Sequence, residues 1–214
     1  MFTGIITEIG KVTNIQKISN NIYYTISCQT LQNDLKIGES VACNGICLTI
    51  VEFTHLNITV EVSKQTLKVT TVNKWKINKN INLERATSLK DRLNGHLVQG
   101  HIDTTVQLKN KYCLQGTDYY EFNYPQECSD LIVEHGSICI DGISLTIAQL
   151  NNNTFHVALI SHTINNTNLK SLKINESVNI EFDIIGKYVQ RSLTMVKKKA
   201  KDRMSEEWLL NNGF

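Results

Sequence analysis

The sequence has little of what marks the special structural classes of protein. Its six cysteines, at positions 28, 43, 47, 113, 128 and 139 of 214 residues, are sparse and include no Cys-x-x-Cys pair. This excludes a disulfide-rich scaffold and a cysteine-based zinc site, and we expect free thiols. The single proline, Pro125, and the richness in Asn, Lys and Ile indicate compositional bias, so most surface asparagines carry little information.

A strong charge and long apolar runs are also lacking. Lysine and arginine number 22 against 20 aspartates and glutamates, and the formal net charge of +2 favours no nucleic-acid, membrane or acidic partner. The N-terminus lacks the basic region and apolar run of a secretory signal. No segment reaches the roughly 18 to 20 apolar residues of a membrane span. We therefore expect a globular, cytoplasmic protein.

The sequence contains an internal repeat, with two copies of one domain. The string NGICLTI, which begins at Asn44, is answered 97 residues later by DGISLTI, which begins at Asp141. Further pairs keep that register, among them Asn82-Leu83-Glu84 with Asn179-Ile180-Glu181. Thr3-Gly4-Ile5 aligns with Gln99-Gly100-His101 at a spacing one residue shorter. The first copy is therefore expected to begin at Met1, with no presequence.

Each copy consists of short runs rich in Val, Ile, Thr and Tyr that are broken every 8 to 12 residues by Gly or Asn. Such runs favour antiparallel strands, and examples are 21–28, 40–53, 56–62 and 80–84. About six strands per copy fit a small closed barrel better than an open sheet, because closure removes exposed edges. The prediction is an all-β chain of two tandem six-stranded barrels, in residues 1–96 and 97–186.

The tail, residues 187–214, has a different period. Apolar residues recur at helical spacing at Val189, Leu193, Val196, Ala200 and Met204, opposite lysines at 197–199 and 201. This predicts an amphipathic helix whose lysines form the solvated face. Its apolar stripe either docks on the chain's own barrels or associates with the same helix of other chains.

Two copies imply two pockets of similar shape, which would suit a substrate that reacts with a second molecule of itself. In the strand after each Asn/Asp-Gly turn, alternate residues share a face, so Cys47 lies with Thr49 and Ser144 with Thr146. One pocket then offers a thiol where the other offers a hydroxyl. The alternative is structural: Cys47 is a small buried side chain, and Ser144 is a hydrogen-bonded strand hydroxyl.

Two histidines flank glycines at the start of the second copy. His96 and His101 fit no zinc motif, so no metal is expected. A neutral histidine can remove a weakly acidic C–H proton near pH 7, and His101 stands where the first copy has Ile5. Asp183 similarly replaces Ala86, which hints at specialised pockets, although a surface aspartate at a strand end is the commoner explanation.

Four segments in order resemble the riboflavin synthase family, α chain, and the resemblance spans the whole chain. They are Met1-Phe2-Thr3-Gly4-Ile5, Asn44-Gly45-Ile46-Cys47-Leu48-Thr49, Gly95-His96-Leu97-Val98-Gln99-Gly100-His101 and Ile140-Asp141-Gly142-Ile143-Ser144-Leu145-Thr146. The resemblance implies two Greek-key barrels and a C-terminal helix through which three chains associate as a homotrimer.

The resemblance also implies an activity. In this family two molecules of 6,7-dimethyl-8-ribityllumazine exchange a four-carbon unit, which gives riboflavin and 5-amino-6-ribitylaminouracil without a metal or bound cofactor. The family's site lies between the N-terminal barrel of one chain and the C-terminal barrel of a neighbour. Association with lumazine synthase is left open.

Carried over position by position, the resemblance implies a set of substrate contacts. In the first copy they are Gly4, Ile5, Ile6, Cys47, Leu48, Thr49, Glu61, Val62, Ser63, Lys64, Gln65 and Thr66. In the second copy they are Gly100, His101, Ile102, Ser144, Leu145, Thr146, Leu159, Ile160, Ser161, His162 and Thr163.

Five of the matched positions are candidate catalytic residues. In our interpretation His101 assists deprotonation of the 7-methyl group of one substrate. Cys47 or Ser144, directly or through water, adds to the electrophilic carbon of the other. Asp183 gives polar support, and Phe2 packs over the ring.

One position departs from the family. Ahead of Gly136-Ser137 the family usually has a lysine that contacts substrate, whereas this chain has His135. A histidine is shorter and largely neutral at pH 7, which puts substrate affinity in doubt rather than the type of reaction.

The main alternative function is a non-catalytic, fluorescent lumazine-binding carrier with the same barrels. Cys47, His101, Ser144 and Asp183 favour the enzyme, because a carrier has no need of them. A flavin-binding reductase barrel is disfavoured, since no Gly-rich nucleotide loop follows a strand.

Overall fold

The computed structural model describes residues 1–19, 21–30 and 34–203. Their contacts divide the chain into two compact units, residues 1–183 and a segment that begins at Ile184. The first unit contains both copies of the repeat. The second contains the C-terminal helix.

The first copy forms six strands: β1 (Glu8–Ile18), β2 (Asn21–Ser27), β3 (Ser40–Cys43), β4 (Ile46–Phe53), β5 (Asn57–Val62) and β6 (Asn80–Arg85). Helix α1 (Lys64–Val69) and a 3-10 helix (Thr71–Lys74) join β5 to β6. The run 40–53, treated as one stretch in the sequence, is a hairpin of two strands. Its turn residues, Asn44 and Gly45, have φ of 46° and 76°, as a tight hairpin turn requires.

The second copy repeats this order. Its strands are β7 (Thr104–Leu114), β8 (Thr117–Asn123), β9 (Ser137–Ile140), β10 (Ile143–Leu150), β11 (Thr154–Leu159) and β12 (Ser177–Phe182). A 3-10 helix (Gln126–Leu131) precedes β9, and helix α2 (Ser161–Asn165) and a 3-10 helix (Asn168–Lys170) follow β11.

Each copy closes into an antiparallel barrel, which confirms the predicted fold. The strand order around the first barrel is β1-β2-β5-β4-β3-β6, and the second barrel has the equivalent cyclic order. Because β6 returns to lie beside β3, the strands form a Greek key. The pairing register shifts after Val12 and Ile50 in the first barrel and after Leu108 and Ile147 in the second. Bulges at equivalent places help such short strands to curve.

Each barrel has its own apolar core. In the first, the side chains of Val12, Ile26, Ile58 and Ile81 are fully buried. In the second, Phe122 and Phe155 stack with their ring centroids 5.5 Å apart. Burial alternates along β4 and β5, so that Ile46, Leu48 and Ile50 of β4 face the core while the residues between them face outward. In β6 and β12, consecutive residues are buried.

The two barrels meet through their hairpin turns in a buried polar network. A Cβ added at Gly45 would lie 2.6 Å from the backbone nitrogen of Gly142, so neither turn tolerates a side chain there. The Asn82 amide donates to the Asp141 carbonyl at 2.9 Å, and the Asn179 amide donates to the Asn44 carbonyl at 2.9 Å. Equivalent residues of the two copies therefore make reciprocal contacts across the junction between the barrels.

Helix α3 (Ile184–Arg203) confirms the predicted C-terminal helix. Of the predicted stripe, Val189, Leu193 and Val196 are more than half exposed in the single chain. Met204 lies outside the described residues. No helix in the described part of the chain is long and apolar enough to span a membrane.

Candidate active site

Two short segments lead into the barrels, and each one covers the other copy's barrel. We call residues 3–6 the first leading segment and residues 99–102 the second. The Gly4 carbonyl accepts a hydrogen bond from the Ser144 N–H of β10 at 2.7 Å, and the Gly100 carbonyl accepts one from the Cys47 N–H of β4 at 2.8 Å. Ile6 packs on the core of the second barrel, and Ile102 packs on that of the first. The predicted contacts on each leading segment therefore lie next to those on the strand of the other copy, not next to those of their own copy.

Glycine is required where these segments cross. Gly4 and Gly100 have φ of 77° and 82°, a conformation that L side chains rarely adopt. A Cβ added at Gly4 would lie 2.6 Å from the Ser144 Cβ, and one added at Gly100 would lie 2.5 Å from the Cys47 Cβ. The close approach places each leading segment directly over the residue that the sequence marked as a nucleophile candidate.

The first leading segment and β10 form a cleft on the outside of the second barrel. Its lining includes Gly4, Ile5, Ile6, Ile143, Ser144, His162, Thr163, Asn166 and Thr167. Six of these, Gly4, Ile5, Ile6, Ser144, His162 and Thr163, are predicted substrate contacts. The structure therefore brings together in one place residues that are up to 159 positions apart in the chain.

Ser144 has a partner, His96, that is not among the predicted site residues. The Nδ1 of His96 lies 2.7 Å from the Ser144 Oγ, and the imidazole is buried. Its Nε2 is also buried, with no hydrogen-bond partner among the described residues. Burial lowers the pKa of His96, and the nearby Asp183 carboxylate partly opposes this shift. A neutral imidazole beside a hydroxyl is an arrangement suited to proton transfer.

The sequence does not distinguish His96 from His101, because a glycine directly precedes each of them. A Cβ added at Gly95 would lie 2.1 Å from the Thr3 carbonyl oxygen and 2.9 Å from the Ser144 Oγ. In the structure, this close contact places the backbone next to His96 against Thr3 and Ser144. The predicted base, His101, has an exposed side chain.

Cys47 occupies the equivalent position over the first barrel. It is half-buried beside Gly100 and packs against a small cluster of Phe2, Ala42, Val98 and Cys139. Phe2 is 1% exposed, and its backbone pairs with that of Val98. In the single chain, the Phe2 side chain therefore packs in the cluster against which Cys47 lies.

Most of the remaining predicted contacts lie on β4 and β10 and at the starts of α1 and α2. Thr49 and Thr146 are exposed on the outward faces of β4 and β10, next to Cys47 and Ser144, while Leu48 is buried and Leu145 is half-buried. Ser63 caps α1 by accepting the Thr66 N–H at 3.2 Å, and Lys64 and Gln65 are exposed in its first turn. Ile160 and Ser161 are exposed at the start of α2.

Three predicted contacts are turned toward other parts of the protein. Val62 and Leu159 are buried in the two cores. Glu61 accepts hydrogen bonds from Asn21 and from the Tyr23 hydroxyl, and this hydrogen bond raises the pKa of Tyr23. At these three positions, only the backbone groups are left to contact a ligand.

His135 lies in the turn before β9 with φ of 65°, where the first copy has Gly38 with φ of 89°. Both N–H groups donate to the equivalent strand, to Ile147 and Ile50 respectively. The His135 side chain is exposed. A non-glycine residue therefore occupies a left-handed turn position that glycine fills elsewhere.

Taken together, the geometry defines a two-barrel protein in which a leading segment crosses a strand of the other barrel twice. Ser144, with the imidazole of His96, lies in a cleft at one crossing, and the Cys47 thiol lies at the other. The sequence matches the family model described as Lumazine binding domain twice, over residues 3–86 and 99–183. The chain belongs to the riboflavin synthase family. It is 40% identical to the riboflavin synthase of Actinobacillus pleuropneumoniae and 38% identical to that of Bacillus subtilis, in both cases over 100% of each chain.

Solved structures support the fold. The chain is similar to LumP complexed with riboflavin, with a TM-score of 0.78 and 21% identity over 85% of this chain and 99% of the other. It is also similar to LumP complexed with 6,7-dimethyl-8-(1'-D-ribityl) lumazine, with a TM-score of 0.76 and 20% identity over 85% and 98% of the two chains.

Proposed function

We propose that the chain is a riboflavin synthase, a transferase that converts two molecules of 6,7-dimethyl-8-ribityllumazine into riboflavin and 5-amino-6-ribitylaminouracil. The observation that carries this proposal is the pair of equivalent crossings, Gly4 over Ser144 and Gly100 over Cys47, that differ in their reactive groups. The crossing at Cys47 is the second cleft of this proposal. Donor and acceptor are the same compound, so they need sites of the same shape. They play different chemical roles, so they need different functional groups. The full-length riboflavin synthase relatives support the same activity.

The Ser144–His96 pair is the acid–base centre of this proposal. Because burial favours neutral His96, its imidazole accepts a proton near pH 7, and the Ser144 hydroxyl relays it from the substrate or from a water molecule. The unpartnered His96 Nε2 is the second end of that relay. His101, on the second leading segment beside Cys47, is the candidate base for the methyl proton at the other cleft.

Cys47 and Ser144 are the candidate nucleophiles, and the leading segments supply the binding groups. Addition to the electrophilic ring carbon of one substrate makes that ring electron-rich, and deprotonation of the methyl group of the other makes a carbon nucleophile. Backbone N–H and C=O groups of Gly4–Ile6 and Gly100–Ile102, with Thr49 and Thr146, are suited to the pyrimidine edge and the ribityl hydroxyls.

We assign residues 1–96 and 97–186 to the two lumazine-binding barrels and 187–214 to association of three chains. The exposed apolar residues Val189, Leu193 and Val196 support association through α3. Because the family's site forms between barrels of neighbouring chains, the trimer is the active form. We place the protein in the cytoplasm and propose association with lumazine synthase as the source of substrate.

The test is to incubate the purified chain with 6,7-dimethyl-8-ribityllumazine alone and to follow products by absorbance and chromatography. Riboflavin and the pyrimidine in equal amounts, without added cofactor, are expected. Tight binding of unchanged lumazine would instead establish the second candidate, a carrier. The similarity to the LumP structures, at 20% to 21% identity, shows the shared fold alone.

A further inference from the structure

Two buried glutamates hold the leading segments in place. Glu84, near the end of β6, accepts the Thr3 N–H at 2.6 Å, the Thr3 hydroxyl at 2.7 Å and the Gly4 N–H at 3.0 Å. Glu181, at the equivalent position in β12, accepts the N–H groups of Gln99 at 2.7 Å, Gly100 at 2.8 Å and His101 at 3.1 Å. The two side chains are 4% and 1% exposed.

Each glutamate uses both carboxylate oxygens on successive N–H groups of one segment. A buried carboxylate costs free energy unless such donors compensate it, so the segment must wrap tightly around it. Burial raises the pKa of Glu84, and the hydrogen bonds from Thr3 and Gly4 oppose that shift. The same arrangement occurs twice, at positions that the repeat aligns.

The segments held in this way reach across to the other barrel. Glu84 lies on the first barrel, but the Gly4 that it fixes contacts Ser144 on the second. Glu181 lies on the second barrel, but the Gly100 that it fixes contacts Cys47 on the first. Glu181 also fixes the backbone of His101, the candidate base.

We propose that Glu84 and Glu181 are positioning residues that act crosswise, each fixing the segment that completes the catalytic cleft of the opposite barrel. The catalytic meaning of this inference rests on the proposed function, whereas the crosswise coupling stands on the hydrogen bonds alone. Each barrel therefore contributes to the geometry of both clefts, and neither barrel would carry a complete cleft by itself.

Glutamine is the matched replacement, since it keeps the size of the side chain. Whichever way the amide turns, its NH₂ group faces an N–H donor, so part of the leading segment loses its acceptor. The two substitutions, Glu84→Gln and Glu181→Gln, serve as controls for each other, because they make the same chemical change at equivalent buried positions.

The test measures thiol alkylation by N-ethylmaleimide, residue by residue, with peptide mass spectrometry. The full-length parent carries Ser144→Cys, which gives the second cleft a thiol to match Cys47. We expect Glu181→Gln to speed labelling of Cys47 by about tenfold or more while position 144 changes by less than about twofold, and Glu84→Gln to do the reverse. Buried Cys28, Cys43 and Cys139 report any global unfolding, and exposed Cys113 reports the reagent.

The crosswise pattern supports the proposal. Faster labelling on the barrel that carries the substituted glutamate, equal acceleration at both positions, or no acceleration at either overturns it. If the glutamine variants expose the buried cysteines, Glu84→Asp and Glu181→Asp, which keep the charge and shorten the reach, must give the same crosswise pattern. Labelling does not require turnover. If labelling is crosswise but the unsubstituted wild-type chain makes no riboflavin, only the proposed function is rejected.

Discussion

At the scale of single residues, the chemistry of the two clefts rests on Ser144 with His96 and on Cys47. Separate Ser144→Ala and Cys47→Ala substitutions remove one reactive atom each and leave the backbone bonds to Gly4 and Gly100 in place. We expect Ser144→Ala to lower kcat by about 10²- to 10⁴-fold, because it removes the proton relay. Steady-state kinetics, with thermal unfolding to verify the fold, provide the check. Near-normal turnover in both variants would reject both residues as nucleophiles.

The protonation of His96 gives a second prediction at this scale. Burial lowers its pKa, and the Asp183 carboxylate raises it less than burial lowers it. Asp183→Asn removes the raising influence, so the pKa of His96 falls further. Since the neutral imidazole is the active base, the acid limb of the pH profile of kcat/KM should shift to lower pH. A histidine NMR titration follows the same group, and a shift of the limb to higher pH would contradict this role of His96.

The sequence alone does not show which of two histidines, His96 or His101, faces Ser144. Both lie beside glycines in one motif, and only the path of the chain decides which imidazole turns inward. The structure buries His96 against Ser144 and leaves His101 exposed. Their nearly equal sequence contexts gave no physical reason to prefer one. The thiol and hydroxyl candidates, by contrast, were evident because the repeat aligned them.

At the scale of secondary structure elements, the strands could be predicted and the crossing of the leading segments could not. Alternation of apolar residues and the Asn/Asp-Gly turns are local properties, and they indicate strand structure in these regions, although the predicted run 40–53 is divided into β3 and β4. The bond from Ser144 to Gly4 joins different copies, whereas an internal alignment compares each residue only with its equivalent. The sequence therefore suggested two clefts, each built from its own copy.

Helix α3 is the element on which assembly depends in this account. A shortened chain that ends at residue 186 should keep both barrels folded, become monomeric and lose turnover, because each site would lack the neighbouring chain. Light scattering and the lumazine assay measure the two effects. Full-length Leu193→Glu with Val196→Glu is the matched variant, since it charges exposed apolar positions and leaves the helix length unchanged. A monomer with full activity, or a trimer without the helix, would contradict this assignment.

At the scale of the whole molecule, the polar network between the barrels contains one buried acid. Asp141 stands where the first copy has Asn44, and its carboxylate accepts from the Asn179 N–H at 2.8 Å and the Asn168 amide at 2.7 Å. The Lys79–Glu176 ion pair faces it across a small cavity between the barrels. Burial raises the pKa of Asp141 to about 6, and these donors and Lys79 oppose the shift.

This raised pKa makes stability depend on pH. The folded state binds the Asp141 proton more tightly than the unfolded chain, so this group adds stability as pH falls through about 6 toward 4. In Asp141→Asn that contribution is absent. The difference in unfolding free energy between wild type and variant should therefore change by at most about 1.4 kcal/mol per pH unit in that window. Urea unfolding over a pH series tests this, and a pH-independent difference would show that Asp141 does not titrate there.

The central claim is that one chain type joins two identical substrates. The most direct test uses an equal mixture of unlabelled lumazine and lumazine with ¹³C in its two methyl groups and the two ring carbons that carry them, and measures the mass of the riboflavin formed. Riboflavin receives these four carbons from each of two substrates, so we predict unlabelled, half-labelled and fully labelled product in a one-to-two-to-one ratio. Riboflavin without the half-labelled species, or no riboflavin at all, would contradict the account.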